Sequence, residues 1–125
     1  MNHIFLVAIG GALGSVARYL TGLFALRWLG PGFPWGTLTV NIVGGFAIGL
    51  FAELIARRFD GSAELRVFIV TGILGGFTTF SAFSLEVTAM AERGDYAMAG
   101  TYIVCSVVIS VAAVFAGLAL VRALL

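Results

Sequence analysis

The sequence predicts an all-α membrane protein with four transmembrane helices, folded as a single transmembrane domain over residues 1–125. Three observations carry this reading. Hydrophobic residues make up 61% of the chain and charged residues 10%, where a soluble domain carries about 25% charge. The apolar residues gather into four stretches, each close to the roughly 20 residues that cross about 30 Å of hydrocarbon. Glycine occurs 17 times, well above its usual share of about 7%, often at the four-residue spacing that brings membrane helices together. A composition this apolar, with mean hydropathy +1.11, excludes an ordinary soluble domain and a disordered chain. Seven basic residues, all arginine, against six acids leave a net charge of +1. No basic face exists for nucleic acid and no field for long-range steering. The lipid bilayer is the solvent.

The first span runs over about 4–26 and is apolar except for Arg18. Met1-Asn2-His3 lacks the basic start of a signal peptide, and the apolar run outlasts a signal core, so this is expected to be a retained helix. Arg18 either snorkels towards the interface or places a positive charge in a vestibule that draws in anions. Gly30-Pro31-Gly32-Phe33-Pro34 then breaks the helix, because it holds both prolines. The second span, about 36–56, carries Asn41 and, near its end, Glu53. Asn41 is too short to snorkel and shares a helix face with Thr37. Its amide either bonds a neighbouring helix or presents donors to a ligand. Arg57 to Ser62 forms a polar turn.

The third span, about 65–90, is interrupted by Gly75-Gly76 and the run Phe77-Thr78-Thr79-Phe80-Ser81-Ala82-Phe83-Ser84. Paired glycines and β-branched threonines favour a break near 75–79, at mid-membrane. Broken backbone survives at that depth only where it is buried or lines a cavity. Its freed carbonyls suit a hard cation and its new helix start suits an anion; the other reading is a benign kink. Phe80 and Phe83 share a face, and a benzene ring has a positive edge. Glu86 lies further along, near the interface, where it either caps a network or stands without a special role. After the turn Glu92 to Asp95, the fourth span covers about 97–124. Tyr102, Ser106 and Ser110 recur every fourth residue, so their hydroxyls either bond back to the helix or face an ion path. Cys105 is alone and makes no intrachain disulfide.

All loops are short, so neighbouring helices run antiparallel. Arg57, Arg58, Arg66 and Arg122 lie on one side and Arg27 and Arg93 on the other, a weak bias compatible with insertion both ways. The pairs Gly10/Gly14, Gly45/Gly49 and Gly72/Gly76 put small residues on more faces than four helices can bury among themselves, so an oligomer is expected. The intramembrane polar groups are donors rather than mid-span acids, which points to a small anion. A four-helix drug/proton antiporter would match the length but needs a carboxylate in mid-membrane of the first span, where only Arg18 is charged. A non-transporting scaffold would carry no ion. An enzyme lacks support, with one histidine, one cysteine and no carboxylate cluster.

Over essentially its whole length the chain resembles the Fluc (CrcB) fluoride channels of bacteria. The resemblance is carried by Gly10-Gly11-Ala12-Leu13-Gly14-Ser15-Val16-Ala17-Arg18-Tyr19, by Gly36-Thr37-Leu38-Thr39-Val40-Asn41 with Gly44, and above all by Gly75-Gly76-Phe77-Thr78-Thr79-Phe80-Ser81-Ala82-Phe83-Ser84-Leu85-Glu86. It implies an antiparallel, dual-topology homodimer in the bacterial inner membrane that passively exports fluoride through two pores. Phe80 and Phe83 would line each pore, Asn41 would donate to the ion, and Ser81 and Thr37 would be polar neighbours. Tyr102, Ser106 and Ser110 would form a polar track, and Arg18 would face the vestibule. A structural Na⁺ at the dimer centre would take the backbone carbonyls of Gly75 and Thr78 from each subunit. Ala82 departs from the pattern, because the family commonly has Thr or Ser there; no hydroxyl role is assigned to that position.

Overall fold

A computed structural model describes residues 2–125. Among the described residues all regular structure is helical. Helix α1 is Asn2–Leu29 and α2 is Trp35–Arg58. The third span begins with α3, over 63–77, whose stretch Arg66–Leu74 is wound more widely with i→i+5 bonds. Two extended residues follow, and the span continues as α4, Phe80–Glu92. Helix α5 is Tyr96–Leu124. Four spans, with α3 and α4 forming one, are long and apolar enough to cross a membrane.

Turn chemistry sets the ends. Gly30, at φ +80°, closes α1 by donating to Leu26 O at 3.0 Å. Gly94, at φ +85°, donates to Ala91 O while Asp95 N–H reaches Met90 O at 2.9 Å, a Schellman stop. Ser62 starts α3 by accepting Leu65 N–H on its hydroxyl.

Lipid-facing character shows in what is left outside. Phe5, Leu13, Tyr19, Phe24, Val104 and Phe115 are all exposed, whereas the largest fully buried side chains are only Tyr102, Ile55 and Val40. Packing therefore relies on close backbone approach. Helix α1 lies against α3 and α2 against α5. At the first contact, a Cβ on Gly10 would stand 2.6 Å from Phe68 O and one on Gly76 2.7 Å from Gly11 O. At the second, Gly49 faces Val114 O and Gly117 faces Phe46 O, with no room for a methyl group. These obstacles are backbone atoms and cannot swing aside. Gly49→Leu is therefore expected to force α2 from α5 and destabilise the fold by a few kcal/mol, about the cost of an overpacked core. Loss of midpoint in detergent unfolding would measure it.

Candidate functional site

The turn between α3 and α4 organises the site. Gly75 and Gly76 are themselves helical, with Gly75 at φ −63° and ψ −37°. The extended residues are Thr78 (φ −88°, ψ 158°) and Thr79 (φ −153°, ψ 122°). Gly76 is needed for its close approach to α1, and the departure from helix falls on the β-branched threonines, which tolerate extended backbone well. Thr79 caps α4, its Oγ1 accepting Ala82 N–H at 3.1 Å.

Asn41 on α2 holds Thr79 from both sides. Its Oδ1 accepts Thr79 N–H at 2.8 Å and its Nδ2 donates to Thr79 O at 3.0 Å. The amide thus gives the Thr79 N–H the partner that the turn removes and adds a second bond to its carbonyl, which as the N-cap carbonyl already serves the first turn of α4. One consequence falls on neighbouring carbonyls. In an unbroken helix Thr79 N–H would bond Gly75 O, and Ala82 N–H would bond Thr78 O. Both donors point elsewhere, so Gly75 O and Thr78 O are released together. Between them, Gly76 O accepts from Arg18 Nε at 3.0 Å. Arg18 therefore reaches across to the turn from mid-helix.

A second network lies towards the α1–α2 loop. Glu86 accepts Thr37 Oγ1 on Oε2 at 2.7 Å and the Tyr102 hydroxyl on Oε1 at 2.8 Å. Tyr102 is completely buried. Its ring packs on Phe83 with centroids 5.1 Å apart, and Phe83 lies 5.7 Å from Phe80. Within this chain Phe83 is 8% exposed and Phe80 76%.

Asn41, Phe80, Phe83, Ser106 and Ser110 come together around a cavity of about 310 Å³, with Thr78 and Thr79 at its edge. Its serines are unusual among the hydroxyls of this chain. Thr21, Thr78, Ser84, Thr88 and Thr101 each bond back to the carbonyl one turn earlier. Ser106 Oγ and Ser110 Oγ are buried and have no partner among the described residues. Two unspent hydroxyls in a largely apolar wall, with an amide and two phenylalanine rings lining the same cavity, make a pocket with hydrogen-bond donors but without a formal charge. A second cavity, of about 380 Å³, opens beneath the α1–α2 loop, with Thr37 and Glu86 in its wall and Arg93 at its rim.

The sequence that builds this arrangement matches a known family. The family model of CrcB-like protein, Camphor Resistance (CrcB), matches residues 5–118. The chain belongs to the CrcB family. Among its relatives, the fluoride-specific ion channel FluC of Rhizobium etli (strain CIAT 652) is 62% identical over 124 residues, 99% of each chain. That of Agrobacterium fabrum (strain C58 / ATCC 33970) is 61% identical over 122 residues, 98% of each chain. That of Rhodospirillum centenum (strain ATCC 51521 / SW) is 52% identical over 122 residues, 98% of this chain and 97% of the relative.

In this CrcB chain, Asn41, Phe80, Phe83, Ser106 and Ser110 gather at one cavity, while Thr37, Tyr102 and Glu86 form the adjoining network. Ser81 stands apart from the cavity wall, with its hydroxyl 3.3 Å from Thr79 Oγ1 and exposed. Arg18 lines a further cavity of about 300 Å³ with Thr37 and Ala82, while its Nε holds the turn. From the sequence, Thr79 was placed in the break but not as the cap of α4 or the partner of Asn41. Its signal was present, since a threonine directly before a helix is a common N-cap. No group of three or more His, Cys, Asp or Glu that would hold a metal occurs among the described residues, so carbonyl oxygens are the cation ligands on offer. The released oxygens of Gly75 and Thr78 fit that role chemically, because unwound carbonyls are the usual sodium ligands in membrane proteins.

Proposed function

We propose that this chain is one subunit of a fluoride-selective channel that lets fluoride leave the cell passively and so limits its toxicity. The observation that carries the proposal is that Ser106 and Ser110, whose buried hydroxyls have no partner among the described residues, line one cavity together with Asn41, Phe80 and Phe83. The curated relatives named above are fluoride-specific ion channels, which supports the choice of ion.

Fluoride is small and strongly hydrated, so a path must replace its water with donors while remaining too narrow for larger halides. Weak binding at several successive points then allows exit. Here the N–H of Asn41 not used on Thr79, the positive ring edges of Phe80 and Phe83, and the hydroxyls of Ser110 and Ser106 are those points. Tyr102 and Thr37 continue the track. Because both already donate to Glu86, an arriving anion competes with the carboxylate for them, and Glu86 regulates that end. The half-buried guanidinium of Arg18 supplies positive potential at the vestibule. Ser81 is a polar neighbour at the turn.

The channel is read as an antiparallel, dual-topology homodimer in the bacterial inner membrane, its third span broken at mid-membrane. The exposed Phe80 supports this, since a ring left open by its own chain is available to a partner. Gly75 and Thr78 carbonyls would hold a structural Na⁺ at the dimer centre, which supplies fixed positive charge without a basic side chain. No chemistry is performed on the ion.

Liposomes loaded with fluoride and chloride test the proposal. Fluoride should leave rapidly without a proton gradient while chloride stays. Retention of fluoride would overturn the channel, and equal loss of chloride would overturn its selectivity.

A further inference from the structure

The loop between α1 and α2 does more than join them. Pro34 sits at φ −78° and ψ 65°, the centre of an inverse γ-turn, and Trp35 N–H closes that turn on Phe33 O at 2.8 Å. Proline fixes its own φ and restricts the residue before it, so the backbone at Phe33 has little freedom. The turn points the Phe33 ring inward. It meets Tyr102 edge-on, with centroids 5.2 Å apart and planes at 79°, and packs on Trp35 at 4.7 Å. Phe33 is also packed against the buried cluster of Phe83, Met90, Ala99 and Tyr102. Five rings, Trp35, Phe33, Tyr102, Phe83 and Phe80, thereby run in unbroken contact from the loop to the cavity.

Tyr102 is the one ring in this column with a polar duty. Its hydroxyl reaches Glu86 at 2.8 Å, and a ring free to tilt would carry that oxygen out of reach. Phe83 and Phe33 both pack against the ring, at 5.1 and 5.2 Å between centroids. Phe33 also lines the cavity that has Thr37 and Glu86 in its wall, so it stands where that cavity meets the polar track.

We propose that Phe33 is a positioning residue of the ion path: seated by the turn at Pro34, its ring edge fixes Tyr102 and through it the hydroxyl that holds Glu86. The inference rests on the reading of this track as a fluoride path. It assigns the loop a part in conduction, whereas a plain connector would tolerate any apolar residue at this position.

The test is fluoride efflux from liposomes, with assembly of each variant checked by size-exclusion chromatography. Phe33→Leu keeps apolar volume but offers no ring edge, and efflux should fall about tenfold, the scale of one edge-to-face contact. Phe33→Tyr keeps the edge and should retain efflux. In a Tyr102→Phe background, where no hydroxyl remains to be placed, Phe33→Leu should add no further loss. Wild-type efflux in Phe33→Leu, or an additive loss in the double variant, would overturn the inference while leaving the channel itself intact. Absence of fluoride efflux from the unaltered protein would overturn both.

Discussion

Asn41→Asp is expected to stop fluoride efflux while the protein still assembles. The substitution keeps shape and volume, so α2 and its packing are preserved. One carboxylate oxygen continues to accept Thr79 N–H, as Oδ1 does at 2.8 Å. The other replaces a donor that sits 3.0 Å from Thr79 O and turns attraction into repulsion between two acceptors. Losing that bond and setting a carboxylate against the carbonyl costs about 1–3 kcal/mol, and in lipid no water relieves it. The same change puts a negative charge on the wall of the cavity proposed to carry the anion. Each effect alone corresponds to roughly tenfold or more, and both act against conduction, so a loss of at least about a hundredfold is expected. Efflux measured with a fluoride electrode, beside a size-exclusion profile matching the unaltered protein, checks it. Normal efflux would remove Asn41 from the path and leave it only as the clamp on Thr79.

The four helices were legible because lipid imposes a simple demand on sequence: long apolar runs, separated by residues that cannot stay in hydrocarbon. Gly10, Gly14, Gly45 and Gly49 announced the contacts between helices through their spacing. The polar residues were legible too, since each stands out against an apolar background. Their pairing was not. Nothing in the spacing of Thr37, Glu86 and Tyr102 says that one carboxylate takes both hydroxyls, because the three lie on different helices whose rotation depends on the whole packing. The break near 75–79 was legible, but not which of its residues leave the helix. Conformational freedom and close approach leave the same mark on a sequence. Gly76 serves the second, and the extended backbone falls one step later, at Thr78 and Thr79. Phe33 was invisible because it lies in a loop, where an aromatic residue between glycine and proline reads as punctuation.

The serines provide the sharpest separation between gluing helices and conducting an ion, because the two roles predict opposite signs for stability. If Ser106 and Ser110 held the fold together, their removal would weaken it. Their hydroxyls instead are buried without partners, and an unsatisfied buried polar group costs about 1–3 kcal/mol. Ser106→Ala with Ser110→Ala discards that cost and leaves the apolar contacts of both Cβ atoms in place. The double variant is therefore expected to unfold at higher denaturant concentration than the unaltered protein, by about 1–2 kcal/mol in total, with its size-exclusion profile unchanged. Fluoride efflux should move the other way. An ion shedding its water in this cavity would meet two fewer donors, and one hydrogen bond to a charged group is worth about 1.5–3 kcal/mol, or roughly ten- to a hundredfold for each serine. A more stable protein that conducts far less is the signature of groups retained for the ion at the expense of the fold. A less stable variant with unchanged efflux would instead return both serines to helix packing.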